Sequence, residues 1–399
     1  MNGGPGGEPA SGRLVALDVF RGLTVALMIL VNNPGSWAHV HPPLRHAAWH
    51  GLTPTDLVFP FFLFIVGAAM ALSFGRRAAA GATRADLLRK IGTRTALIFL
   101  CGLLLNGFPF GLPLSAEAAA DFGPARVVES LRTLRVMGVL QRIALAYGIA
   151  ALVVTVLPRP RAQLAAGLAL AAVYELLMRL PLVAGWGAGS FAPVDNFARL
   201  VDLAVLGEAR VWRVDGLAFE PEGLVSTLPA VVTVLLGYAA GLLLHGGRPL
   251  GERLRALVGA GAAGTAAGLL LALVEPVNKQ LWTVSYAVLT AGLAAVVLAV
   301  CLAAVDGRGW RRGTRPAVVF GLNPLVAFLG SGLLARVLGL VRVADGGGVT
   351  VSLRHWLTTR LGEPLAGPTG GSLLYALANV AFWLLVLWVM DRRGLRVKI

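Results

Sequence analysis

Ten runs of about 20 mostly apolar residues divide this sequence, at 14–33, 54–74, 91–107, 134–157, 162–181, 225–245, 256–274, 281–304, 316–341 and 371–390. A run of that length crosses about 30 Å of hydrocarbon as an α-helix. With 57% hydrophobic and 14% charged residues and a mean hydropathy of +0.75, no soluble globular domain fits. The expected fold is all-α, a polytopic bundle of about ten transmembrane helices. The first run ends in NNPGSW, without a small-residue cleavage site, and is expected to stay as a membrane helix. The Gly/Pro-rich leader MNGGPGGEPASG reads as disordered over 1–12, and 13–399 as one transmembrane domain with a long outer connection at 182–224.

A net charge of +15 would suit a nucleic acid in a soluble protein, but here the basic residues are divided among the connections. Four short connections are strongly basic: GRRAAAGATRADLLRK (75–90), PRPRAQ (158–163), HGGRPLGERLR (245–255) and DGRGWRRGTR (306–315). The alternate connections are longer and more mixed. The positive-inside rule therefore sets both termini in the cytoplasm and the 34–53 connection outside, with no role for nucleic acid. The 182–224 connection mixes Asp195, Asp202, Glu208, Asp215, Glu220 and Glu222 with Arg199, Arg210 and Arg213, and is long enough to fold over the outer surface. Trp37, Trp49, Trp186, Trp212, Trp282 and Trp356 fall at or near that side. They read either as an interfacial aromatic belt or as platforms for a sugar ring. Cys101 and Cys301 lie in apolar runs and read as small buried hydrophobes.

Charged groups inside a membrane helix cost roughly 2.5–3.5 kcal/mol even on the lenient insertion scale, so they face partners or a cavity. Asp18 and Arg21 in the first run can pair three residues apart. Asn32 stands about three turns, or roughly 16 Å, beyond Arg21. Gln141 and Arg142 are embedded in the fourth run, where Asp18, Asp56 and Glu175 are candidate partners for the guanidinium. Asn278, Lys279, Trp282 and Ser285 open the eighth run, and Asn323-Pro324 interrupts the ninth. Singly, each reads most simply as an interhelical hydrogen bond. Together they point to a polar cavity.

The stretch LRHAAWHGLTPTDLVFPFFLFIVG (44–67) sets histidines directly before a membrane run. His39, His41, His46 and His50 raise metal binding, but their spacing is loose, no cysteine accompanies them, and Asp56 is the one acid close by. No metal is expected. A histidine near neutrality can instead act as general base. In that reading His46 is the base, Asp56 fixes its tautomer, and Asn32 or Asn33 donates to an oxyanion, which suffices for acyl transfer without being unique to it.

RLVALDVFRGLTVALMILVNNPG and RHAAWHGLTPTDLVFPFFLFIVG closely resemble the transmembrane acetyltransferase family of heparan-alpha-glucosaminide N-acetyltransferase and its bacterial relatives. Further resemblance lies in LRVMGVLQRIALAYG, FEPEGLVSTLPAVVTVLLGYAAG, LWTVSYAVLTAGLA and FGLNPLVAF, covering about 13–330. The resemblance implies acetyl transfer from cytoplasmic acetyl-CoA to the amino group of a glucosamine-type sugar across the membrane. It places the active-site histidine at His46, in the motif H-A-x-W-x-G. Two departures bear on the acceptor: His50 replaces the family's usual asparagine, and EPEG at 220–223 replaces DPEG. The lysosomal member's extra luminal region is absent from this sequence, as expected of a compact bacterial relative in a cytoplasmic membrane.

The candidate roles follow. His46, Asp56 and Asn32 are catalytic; Trp49, His50, Asn33, Trp282 and Glu222 hold the acceptor, an amino sugar or glycan end. Arg21, Gln141, Arg142, Asn323, Arg76 and Arg77 hold acetyl-CoA, its nucleotide near Arg76, Arg77, Arg89, Lys90 and Arg94 or near 308–315, and its pantetheine running outward past Arg142. A covalent acetyl-His46 intermediate is the second mechanism. The partners are acetyl-CoA, the acceptor and the bilayer, with a homodimer as a candidate assembly. The alternative is a sugar or amino-sugar transporter.

Overall fold

The computed structural model describes residues 14–397 apart from 115–118, 120–121, 181–188, 215, 245–247, 346 and 348. The leader at 1–12, Trp186 and Asp215 lie outside the described residues.

Each of the ten apolar runs contains helix. In chain order these are α1 (Val15–Asn32), α2 (Val58–Ala79) and α3 (Arg84–Gly107), then, beyond the short α4 (Pro124–Arg132), α5 (Val139–Val156) and α6 (Pro160–Arg179). The 182–224 connection supplies α7 (Phe197–Leu206) and the hairpin β1 (Arg213–Val214) to β2 (Leu217–Ala218). Then follow α8 (Thr227–Leu243), α9 (Leu250–Leu271), α10 (Val284–Cys301), α11 (Arg315–Leu322) and α12 (Pro324–Leu340). A second hairpin, β3 (Arg342–Ala344) to β4 (Thr350–Ser352), and the short α13 (Leu353–Leu357) lead to α14 (Glu363–Arg392).

Among the described residues, seven helices are long and apolar enough to span a membrane, or eight if the bent pair α11–α12 is one span. The expected ten is reduced for two physical reasons. Helix α3 opens with Arg84, Asp86, Arg89, Lys90 and Arg94, which dilute its apolar length, and α8 has only 17 residues. The ninth run breaks by 83° at Asn323. Pro324 has no N–H to continue the first helix. Asn323 is buried there, its Nδ2 donating to the Leu395 carbonyl (3.2 Å) and its Oδ1 accepting from the Val397 N–H (2.9 Å).

Small residues let the central helices touch backbone to backbone. A β-carbon on Gly67 of α2 would stand 2.0 Å from the Val234 carbonyl oxygen of α8, and one on Gly237 of α8 only 2.1 Å from that of Phe64. Gly22 of α1 faces the Ala317 carbonyl of α11 in the same way, at 1.6 Å. One apolar core joins α2, α3, α5 and α8; another joins α1, α2, α8, α10 and α11. The site lies where the C-terminal end of α1 and the N-terminal ends of α2 and α5 meet the turn before α10.

Candidate active site

Thr53 and Asp56 cap the tight turn Pro54–Leu57 that leads into α2. The Asp56 carboxylate is buried, and its Oδ2 accepts from the Ala47 N–H (3.1 Å), the Thr53 N–H (3.0 Å) and the Thr53 hydroxyl (2.9 Å). Its Oδ1 lies 2.6 Å from His46 Nδ1. An acceptor surrounded by these donors is an ionised carboxylate, so Nδ1 turns a proton toward it, and in the neutral imidazole the lone pair is then on Nε2. The Asp56 main-chain carbonyl in turn accepts from the Tyr286 hydroxyl of α10 at 2.6 Å.

The turn before α10 holds the other wall. Glu275 accepts the Val284 and Ser285 N–H groups at 3.2 and 2.7 Å, fixing the start of α10. Gly51 donates its N–H to the Val277 carbonyl (2.8 Å), and Asn278 Nδ2 donates to the Trp49 carbonyl (2.9 Å). These bonds lace the histidine loop to the turn and carry Lys279 inward. Its Nζ comes to 3.0 Å from His46 Nδ1, 3.3 Å from Nε2 and 3.5 Å from Asp56 Oδ1. Burial lowers the Lys279 pKa, against the opposing charges of Asp56 and Glu222.

A cavity of about 240 Å³ opens over this cluster, lined by His46, Lys279, Asn32, Glu222, Arg142 and Trp282 among others. Arg142 is buried at its base. Its guanidinium bonds the Ser226 hydroxyl and the Gly223 carbonyl and lies 5.1 Å above the Trp282 ring, while its Nε has no hydrogen-bond partner among the described residues. Neither Asp18, Asp56 nor Glu175 hydrogen-bonds it among the described residues; the 220–226 loop supplies the partners instead. Arg135 grips Glu220 (2.9 and 2.5 Å) and Glu222 (2.6 Å). Burial works to raise the Glu222 pKa, but the charges of Arg135, Arg142 and Lys279 outweigh it and hold that carboxyl below its ordinary value.

The structure separates the two asparagines at the end of α1. Asn32 faces the cavity; Asn33 is buried and donates back to the Ile29 carbonyl at 2.7 Å. Trp49 packs edge-on against Phe219 and donates to the Phe191 carbonyl (2.8 Å), and His50 Nδ1 meets Asn278 Nδ2 at 3.1 Å, so both brace the loop. Burial lowers the His50 pKa, keeping the ring neutral as an acceptor. Trp282 is fully buried, which excludes it from an interfacial belt, and its left-handed backbone (φ 49°) is held by packing on Phe59 and Tyr286. His39 and His41 are exposed, and no group of three or more metal-ligating side chains converges among the described residues.

A second chamber, about 310 Å³, lies at the opposite ends of these helices and is lined by Arg21, Lys90, Arg94, Tyr147, Phe62 and Met28 among others. Arg76 and Arg77 line its continuation toward the far side, and Arg21 pairs with Asp18 at 3.2 Å, as its spacing predicts. Met28 is common to both cavities. Two residues expected here are elsewhere. Gln141 is turned into the α3–α5 contact against Gly102, because small residues leave it room there, and Asn323 is engaged by the C-terminal segment.

Sequence reasoning gave no site role to Lys279, Arg135 or Glu220. Lys279 was legible as a polar residue at the mouth of a membrane run, but its aim depends on how the 275–283 turn folds.

Residues 13–257 match the family described as heparan-alpha-glucosaminide N-acetyltransferase, catalytic. The chain belongs to that family. It is 28% identical over 380 residues to the human heparan-alpha-glucosaminide N-acetyltransferase, an alignment covering 81% of this chain and 54% of the relative. The mouse protein of the same name is 26% identical over 378 residues, covering 82% and 54%. The chain thus spans about half the length of these curated relatives.

Proposed function

We propose that this protein transfers an acetyl group from acetyl-CoA, entering at the basic chamber, to the amino group of a glucosamine-type sugar in the His46 cavity. The observation that carries this reading is the His46–Asp56 pair at 2.6 Å, open to a cavity that shares Met28 with a chamber lined by Arg21, Lys90 and Arg94. Phosphates of the nucleotide suit those cations, and the apolar wall at Val25, Phe62 and Met28 suits the pantetheine arm. The basic chamber faces the cytoplasm in this reading, and the acceptor comes from the other side. His46 Nε2 takes the proton of the attacking amine, and Asp56 stabilises the imidazolium that forms. Asn32 and the spare Nε of Arg142 are donors available to the substrate.

The test is transfer of labelled acetyl from acetyl-CoA to a panel of amino sugars by the purified protein, beside His46→Ala. The expected outcome is transfer by the parent and a loss of about 10²- to 10⁴-fold in the variant, at unchanged melting temperature. No transfer to any acceptor, with uptake of amino sugar into sealed vesicles lacking acetyl-CoA, would replace this reading with transport.

A further inference from the structure

Lys279 is positioned as nothing in the packing requires. Asp56 is already satisfied by Ala47, Thr53 and His46, so it needs no further donor. A half-buried ammonium is costly unless paired, and among the described residues its one ion pair is the 3.5 Å approach to Asp56 Oδ1, with the charge of Glu222 acting from farther off. Its nitrogen instead lies against both imidazole nitrogens of His46, at 3.0 and 3.3 Å. An atom this near both ring nitrogens stands over the face of the imidazole, so the Nε2 lone pair, which lies in the ring plane, is left open to the cavity. The ammonium thus turns one N–H toward Asp56 and keeps the others for the cavity.

We infer that Lys279 is a catalytic residue, whose ammonium, held against the face of the His46 ring, donates to the carbonyl oxygen of the acyl donor during transfer. The inference rests on the acyl-transfer reading above. An arriving amine meets Nε2 in the plane of the ring, and the ammonium, about 3 Å from the base, is within reach of any carbonyl whose carbon that amine attacks. The amine nitrogen forms a bond to the thioester carbon, and the carbonyl π pair moves to oxygen, where Lys279 donates without losing its proton. His46 Nε2 takes the amine proton. The oxygen pair then re-forms the carbonyl, the C–S bond breaks with its electrons on sulfur, and His46 returns the proton to give the free thiol. Asn32, which lines the same cavity from the end of α1, supplies a neutral donor.

The test compares the parent with Lys279→Met, which keeps the length of the side chain and removes its donors, and with Lys279→Ala in graded ethylammonium. Acetylated glucosamine alone is counted, so that acetylated ethylamine does not register. Expected are a fall in kcat of about 10²- to 10³-fold in Lys279→Met, KM values for donor and acceptor within threefold of the parent, and saturable rescue of Lys279→Ala by ethylammonium. Tetramethylammonium, with the same charge and no N–H, gives no rescue. If the parent is active and Lys279→Met keeps kcat within threefold, the inference falls while acyl transfer stands. Loss of activity in both variants without rescue by ethylammonium also overturns it, leaving Lys279 a structural residue. If the parent itself transfers nothing, the functional reading fails and takes the inference with it.

Discussion

At the scale of single residues the site is organised by Asp56. It accepts four donors from three neighbouring residues, all within the loop and turn at 46–56. Asp56→Asn keeps the shape but must turn an NH2 group toward one of those donors and removes the charge that stabilises an imidazolium. Its kcat should fall by about 10²- to 10⁴-fold with little change in KM, read from initial rates beside the parent. Asp202 offers a test of a different kind. Burial pushes its carboxyl up to about 7, with Glu220 adding to the effect and the Leu224 N–H opposing it. The folded chain therefore holds that proton more tightly than the unfolded one. Stability from this group is complete below about pH 4 and declines as pH rises through 7. Asp202→Asn, which can still accept the Leu224 N–H, should flatten that decline in melting curves taken between pH 4 and 8. Much of this scale was legible in sequence: the pairing of His46 with Asp56 required only an imidazole and a carboxylate close along the chain. The partners of Arg142 were not, because Ser226 and Gly223 lie about 80 residues away and reach it only through the 220–226 loop.

The elements were legible wherever the lipid alone selects them. All ten apolar runs became helix, and Pro324 marked the break in the ninth. Where a boundary depends on tertiary partners the reading slipped. The helix of the fourth run, α5, begins at Val139 rather than 134, because residues 135 and 137 present their carbonyls to Asn106 Nδ2, at 3.0 Å each, and Arg135 is drawn out to Glu220 and Glu222. The crossing of α2 and α8 depends on Gly67 and Gly237, which no hydropathy pattern distinguishes from other small residues. Gly67→Ala places its methyl against a carbonyl oxygen of the opposing backbone, so the helices must separate. A loss of about 1–3 kcal/mol is expected, visible as a lower melting temperature in detergent, whereas Gly92→Ala, with open space around it, should melt with the parent.

At the scale of the whole molecule, two cavities enter from opposite ends of one helix bundle. The inferred orientation can be checked with single cysteines in a Cys101→Ala, Cys301→Ala background. Trp37 and Trp310 are both well exposed, at 57% and 66%, on connections assigned to opposite sides. Trp37→Cys should react with an impermeant maleimide in intact cells, and Trp310→Cys only after permeabilisation; the reverse pattern would invert the topology.

Met28 gives this arrangement an electrical consequence. Met28 lines both cavities, so water reaching it from either side would leave an insulating layer much thinner than the bilayer at that residue. The transmembrane voltage, worth about 2.3 kcal/mol per charge for each 100 mV, would then fall across a few ångströms there. Met28 must accordingly work as an insulator as well as a passage wall. Met28→Gly in proteoliposomes carrying a pH-sensitive dye should discharge a proton gradient faster than the parent protein does.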